Sequence, residues 1–190
     1  IDGLLRMLNA LPGRAEPQRI LYTSSTSVYG DGYGQDVDEN TEPNPVSEGG
    51  LACLAAEHLL QDYSMRSSAC VSILRLAGIY GPNRLLRRIA DLQDRAPIMS
   101  PPDEWLNLIH VDDAVTAIDC VCQLEQPPSL MNVVAGESST RRQYYSQLAA
   151  IANAPPPTFA DPPESPNLHR GGNRRVISVV RESLPITYKY

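Results

Sequence analysis

No stretch of the chain is apolar over the roughly 18–20 residues that a bilayer-spanning helix needs. The opening IDGLLRMLNALPGR has neither the basic start nor the small-residue cleavage site of a secretory signal. Both absences lead to the expectation of a cytoplasmic protein without membrane contact. Positive charge is scarce: 16 Lys and Arg stand against 22 Asp and Glu, a net charge of −6. That balance speaks against a nucleic-acid or anionic-membrane partner. The four cysteines, Cys53, Cys70, Cys120 and Cys122, contain no C-x-x-C pair. Their spacing suits neither a disulfide framework nor a zinc site, so no metal is expected, and the thiols are expected to be buried and reduced. No G-x-S-x-G elbow is present, which argues against a nucleophilic triad of Ser25, His110 and Asp112. No internal repeat is visible.

What is present is an ordinary globular composition over 190 residues, 42% apolar and 20% charged, enough for one domain with a sizeable core. The chain opens in mid-pattern: Ile1, Leu4, Leu5, Leu8 and Leu11 share one helical face, which leads to the expectation of a fragment. Pro12-Gly13 breaks that helix. RILYTS (19–24) reads as a strand, 30–47 as a long polar loop, and 50–66 as a helix with Leu51, Leu54, Ala55, Leu59 and Leu60 on its core side. VSILRL (71–76) is a strand buried on both faces. A helix is predicted near 83–95, and Pro97, Pro101 and Pro102 then exclude helix. LNLIHV is extended. Asp112 or Asp113 can cap a helix to about Gln123, with Val111, Val115, Ile118 and Cys122 inward. MNVVAG (131–136) is another buried strand. Thr140 and Gln143 have capping-box spacing for a helix to about Asn153. The proline-rich 155–166 is irregular, and RRVISVV (174–180) is a strand candidate. Strands alternating with helices imply a parallel α/β sheet.

The chemistry gathers at LYTSSTSVYG (21–30). In an open parallel sheet, ligands bind beyond the carboxyl ends of the strands. The hydroxyls of Thr23 to Ser27 could hold a carbonyl or alcohol there, or could simply satisfy the local backbone. Arg75 is expected to pair with a loop carboxylate, and Arg174 and Arg175 to be solvated. Trp105 could line a substrate pocket, although no spacing supports it.

Four segments in register resemble the extended short-chain dehydrogenase/reductases, the NAD-dependent epimerase/dehydratase family, in atypical form. They are TSSTSVYG before the acidic loop DENTEPNP, RLAGIYGPN (75–83), LNLIHVDDAVTAI (106–118) and MNVVAGES (131–138). The resemblance covers nearly the whole chain. It implies a Rossmann-like doubly wound parallel sheet lacking its N-terminal βαβ nucleotide-binding unit, with a small C-terminal substrate-side lobe. On this reading residues 1–135 are the Rossmann-like part and 136–190 the lobe, interleaved with 83–110. The resemblance places Ser25, four before Tyr29, as the catalytic hydroxyl that bonds the reacting oxygen. It places Ser24, Ala77, Gly78 and Ile79 beside the nicotinamide of NAD or NADP.

The departures are as informative. The family's catalytic Tyr and Lys fall on Gly49 and Cys53; the Lys lowers the Tyr pKa by its charge and positions the ribose, which neither Gly nor a neutral thiol can do. Tyr29 or Tyr33 is the candidate replacement acid. A nucleophilic Cys53 would need a neighbouring positive charge, and His58 points elsewhere. The fingerprint G-x-G-x-x-G is absent, and GDGYG (30–34) has the wrong spacing and opens no helix. NAD or NADP is therefore expected to bind the complete protein and not this chain alone. The expected partner is a small-molecule carbonyl, alcohol or sugar-type substrate, with a possible homodimer through an exposed sheet edge. The family's substrate-phosphate Arg falls on Leu106, which disfavours a sugar nucleotide. The alternative to an oxidoreductase or epimerase is a non-catalytic NAD(P)-binding protein on the same fold.

Overall fold

The computed structural model describes residues 1–11, 18–82, 84, 89–160 and 172–190. In chain order the elements are α1 (Asp2–Ala10), β1 (Arg19–Ser25), a 3₁₀ turn (Thr26–Tyr29), β2 (Asp36–Val37), α2 (Glu48–Arg66), β3 (Cys70–Leu76) and β4 (Gly78–Tyr80). There follow α3 (Ile89–Gln93), β5 (Ile98–Met99), β6 (Trp105–Leu106), β7 (Leu108–His110), α4 (Val111–Gln123) and β8 (Leu130–Val133). The last are β9 (Ser139–Thr140), α5 (Arg141–Ile151), β10 (Phe159–Ala160), β11 (Arg175–Val176) and a second 3₁₀ turn (Arg181–Ser183).

The central sheet runs β1-β3-β8, all parallel, with Arg19 opposite Cys70 and Ile73 opposite Leu130. Two parallel neighbours need a crossover, which α2 supplies between β1 and β3. β3 lies in the middle, and its alternate residues serve opposite faces. Val71 and Ile73 join Leu8 of α1 and Leu60 and Tyr63 of α2 in one apolar cluster. Leu74 joins Met131, Val133 and the α4 residues Ala114, Ala117 and Val121 in another. Helices thus cover both faces of the strand, as its continuous apolar sequence requires. Each such buried aliphatic side chain contributes about 1.5–3 kcal/mol.

Four two-stranded pairs surround this sheet: β4-β7 and β2-β11, both parallel, β5-β10, parallel, and β6-β9, antiparallel. On the other side of the sheet β1 has no further strand along its outer edge among the described residues. That edge is not a simple apolar one, because Arg19 and Thr23 on it are exposed.

Several expectations are corrected. On α4, Val111 and Val115 face solvent and the buried side carries Asp113, Ala114, Ala117 and Val121. The cap of α4 is neither aspartate: His110 Nδ1 accepts from Asp112 N at 3.2 Å. Leu51 and Ala55 of α2 are exposed, as are Ile1 and Leu5 of α1. The strand expected over 174–180 is confined to Arg175–Val176. Of the helix near 83–95, only Ile89–Gln93 is helical among the described residues. Cys70 and Cys122 are exposed thiols and Cys53 and Cys120 half-buried, so burial was the wrong expectation. The Pro12-Gly13 break and residues 161–166 lie outside the described residues.

Candidate functional site

β1 ends in extended backbone at Ser25, whose Oγ accepts from Ser27 N at 3.1 Å and caps the 3₁₀ turn. The hydroxyl hydrogen of Ser25 has no acceptor among the described residues. Gly30 then turns the chain away at φ +67°, with Asn44 O so close that any side chain there would collide with it. The first turn of α2 is pressed against this motif: a Cβ on Gly50 would come within 2.7 Å of Ser27 O. Ser47 caps that helix by accepting from Gly50 N at 3.1 Å.

Beneath Ser25 runs a buried polar chain. Ser24 Oγ donates to Glu57 Oε1 at 2.5 Å. Arg75 donates to the same carboxylate through Nε at 3.1 and 3.2 Å and through Nη2 at 2.7 Å. Glu57 is fully buried and Arg75 nearly so. The Arg75 guanidinium lies 4.8 Å over the Tyr29 ring. Tyr29 donates to Asn132 Oδ1 at 2.8 Å, and Asn132 Nδ2 donates to Ile177 O at 2.8 Å. Glu39, from the acidic loop, accepts from Asn132 N at 2.8 Å, from Val179 N at 3.0 Å and from Ser178 Oγ. Burial pushes the Tyr29 hydroxyl above its ordinary pKa, against the opposing pull of Arg75. The partner of Arg75 is thus a helix carboxylate and not the loop carboxylate that the sequence suggested. An arginine inside an apolar strand demands a buried acid, and Glu57, three residues before Leu60 on the inner face of α2, was the available signal.

Arg174 also departs from expectation. It is buried, not solvated, and donates to Thr26 O at 2.8 Å and to Gly30 O, clamping both ends of the 3₁₀ turn. Arg175 remains partly exposed, pairs with Asp36 and lies 5.3 Å over the Trp105 ring. Trp105 itself donates through Nε1 to Gly34 O at 3.1 Å.

The remaining positions are more dispersed. Gly49 is exposed, with nothing within 4 Å of where a Cβ would stand. Cys53 packs against the main apolar cluster. Ala77 N donates to Val133 O at 2.9 Å and Gly78 N to Asn107 O at 3.1 Å. A Cβ on Gly78 would lie 3.1 Å from Asn107 O, so the glycine serves the β4-β7 pairing. Ile79 is half-buried against the main cluster. Tyr33 is 86% exposed in the loop at φ +52°. The His110 ring lies 5.1 Å from that of Tyr80 and 4.0 Å from that of Tyr190. A cleft of about 650 Å³ opens beside β4 and β7, lined by Tyr80, Leu108, Tyr144, Arg181 and Lys189 among others. It includes none of Ser24, Ser25, Ala77, Gly78 and Ile79. Among the described residues no helix is long and apolar enough to cross a membrane.

Comparison with known proteins agrees with this architecture. The sequence profile of the NAD dependent epimerase/dehydratase family matches residues 1–134. Protein YeeZ of Escherichia coli (strain K12) is 36% identical over 175 residues, 90% of this chain and 58% of that protein. A dTDP-L-rhamnose 4-epimerase of Burkholderia thailandensis is 27% identical, over 74% of this chain and 50% of its own length. The chain thus spans only part of the length of these relatives, 58% of one and 50% of the other. In fold it is similar to UDP-glucuronic acid 4-epimerase from Bacillus cereus, solved in complex with UDP-glucuronic acid and NAD. The TM-score is 0.83 at 20% identity, covering 100% of this chain and 62% of that one.

Proposed function

Since the chain belongs to the NAD-dependent epimerase/dehydratase family, we propose that it forms the substrate-facing part of an NAD(P)-dependent oxidoreductase, epimerase or dehydratase. Its substrate is a small carbonyl, alcohol or sugar-type compound. The observation that carries this reading is Ser25, a strand-end hydroxyl whose hydrogen has no acceptor among the described residues. It is free to donate to a substrate oxygen beyond the carboxyl end of β1. The dTDP-sugar epimerase among the relatives supports a sugar nucleotide, while Leu106 offers no charge to a diphosphate.

The residues present fit one end of a dinucleotide. Gly78 is exposed just beyond β3, and Gly49 faces open space on the helix turn pressed against the Ser25 motif. No glycine-rich strand-to-helix turn that could cradle a pyrophosphate occurs among the described residues. The dinucleotide, when bound, supplies the hydride chemistry. This chain orients the substrate oxygen on Ser25, with Ser24 fixing the end of β1 through Glu57. Tyr29 serves as a pillar, its hydroxyl held by Asn132, and the proton comes from a water admitted at the opening that Gly49 leaves. The setting is the cytoplasm, and the assembly a homodimer through the β1 edge.

The test is NAD(P)H turnover by the complete protein on a panel of nucleotide sugars and small carbonyls. Ser25→Ala is expected to lower kcat about 10²-fold. Tight NAD(P) binding with no turnover on any substrate would move the reading to a non-catalytic binding protein. The 190-residue chain alone is expected to show no NAD(P) affinity by calorimetry, and micromolar binding to it would overturn that part of the reading.

A further inference from the structure

Between α1 and α2 lies a groove of about 160 Å³ whose chemistry the strand-end site does not use. Leu5 and Leu8 of α1 and Leu59 of α2 give it apolar walls. Tyr63, Arg66 and Ser67, from the end of α2, add polar groups to the lining. The Ser67 hydroxyl is already occupied: it donates to Tyr63 O at 2.8 Å and accepts from Ala69 N at 3.3 Å. The other two have capacity to spare. Tyr63 is only 8% exposed, and its hydroxyl is buried with no partner among the described residues. Arg66 is exposed and is the one charged residue of the lining. Its Nε donates to Asp62 O at 3.0 Å, which holds the guanidinium against the helix, while its Nη groups meet no acceptor among the described residues. The groove is remote from Ser25. The Ser25 turn is packed against Gly50, and Tyr63 stands about 20 Å further along α2.

We propose that this groove is a binding site for a small monocarboxylate with an apolar body of about six carbons. An apolar cavity of about 150 Å³ takes a benzene-sized molecule, so the leucine walls suit a body of that size and leave no room for a nucleotide. The two groups with spare donors, a tyrosine hydroxyl and a guanidinium, both give hydrogen bonds that a carboxylate accepts. Bonds to an ionised acceptor are stronger than those to a neutral one, which favours the acid over an alcohol of the same length. A buried hydroxyl without a partner is costly, and a ligand that supplies the acceptor removes that cost. The proposal does not rest on the reading of Ser25.

Titration of this chain at neutral pH with hexanoate, 1-hexanol and acetate, followed by NMR, tests it. Hexanoate is expected to shift the side-chain signals of Leu59 and Tyr63 and to bind with a Kd below about 1 mM. The alcohol, which lacks the charge, and acetate, which lacks the body, are expected to bind at least about tenfold more weakly. Tyr63→Phe is expected to weaken hexanoate about tenfold, and Arg66→Gln about 3- to 10-fold. Without ligand, Tyr63→Phe is expected to keep or slightly raise the melting temperature, because the hydroxyl it removes has no partner. Ser25→Ala is expected to leave hexanoate binding unchanged. The proposal is overturned if hexanoate does not bind, if 1-hexanol or acetate binds as tightly, or if affinity is unaltered by Tyr63→Phe. A lowered melting temperature of ligand-free Tyr63→Phe would also overturn it, since the hydroxyl would then already have its partner.

Discussion

Two tyrosine hydroxyls meet different fates inside this molecule. That of Tyr29 donates to Asn132 Oδ1 at 2.8 Å, while that of Tyr188 is buried with no partner among the described residues. Removing the first leaves a fully buried amide oxygen without its donor, so Tyr29→Phe is expected to cost about 1–3 kcal/mol. Removing the second discards a polar atom that forms nothing, so Tyr188→Phe is expected to be neutral or slightly stabilising. Urea denaturation at neutral pH compares the two, and equal losses would show that the hydrogen bond to Asn132 is not what holds Tyr29. At this scale the sequence was a partial guide. The Ser25 position was legible because a hydroxyl cluster ended an apolar strand. The burial of Arg174 was not, because its acceptors, Gly30 O and Thr26 O, are backbone atoms 144 and 148 residues away.

Between elements, α2 is joined to β3 by the buried Glu57–Arg75 pair. Breaking one side of a buried pair leaves an uncompensated charge, so Glu57→Gln is expected to destabilise by about 3–5 kcal/mol. Replacing both partners, as in Glu57→Leu with Arg75→Met, is expected to recover much of that loss. A double variant no more stable than Glu57→Gln would mean that Ser24 and the Tyr29 ring need the charges for themselves. The long elements were legible because each carries its own pattern: the apolar runs of β1, β3 and β8, and the capping box that opens α5. The two-residue strands were not, because β11 exists only through its pairing with β2, which lies far away in sequence. The inner face of α4 was misread for a packing reason. Its small residues, Ala114 and Ala117, face the sheet, while the larger Val111 and Val115 point outward. Size therefore marked the wrong side.

For the molecule as a whole, the titrating groups set an alkaline limit. Tyr22, Tyr29, Tyr80, Tyr144 and Tyr188 are all raised, burial being the first cause in each, and Tyr188 is pushed up to about 12. Unfolded tyrosine ionises near 10. Between those values the native chain holds protons that the unfolded chain has released, so unfolding sheds protons and stability falls as pH rises. The contribution is complete below about pH 10 and is lost as pH climbs through the folded value of about 12. Each tyrosinate also adds to a net charge already at −6, which increases self-repulsion in the compact state. The urea midpoint is therefore expected to stay level up to about pH 10 and to drop steeply by pH 12. Tyrosinate absorbance in the native chain should rise in step with that loss. Tyr188→Phe, neutral at pH 7, is expected to hold a higher midpoint than the parent above pH 10, since it removes the largest single proton loss. A parent chain whose tyrosines all ionise near 10 without losing stability would show that these hydroxyls are open to solvent.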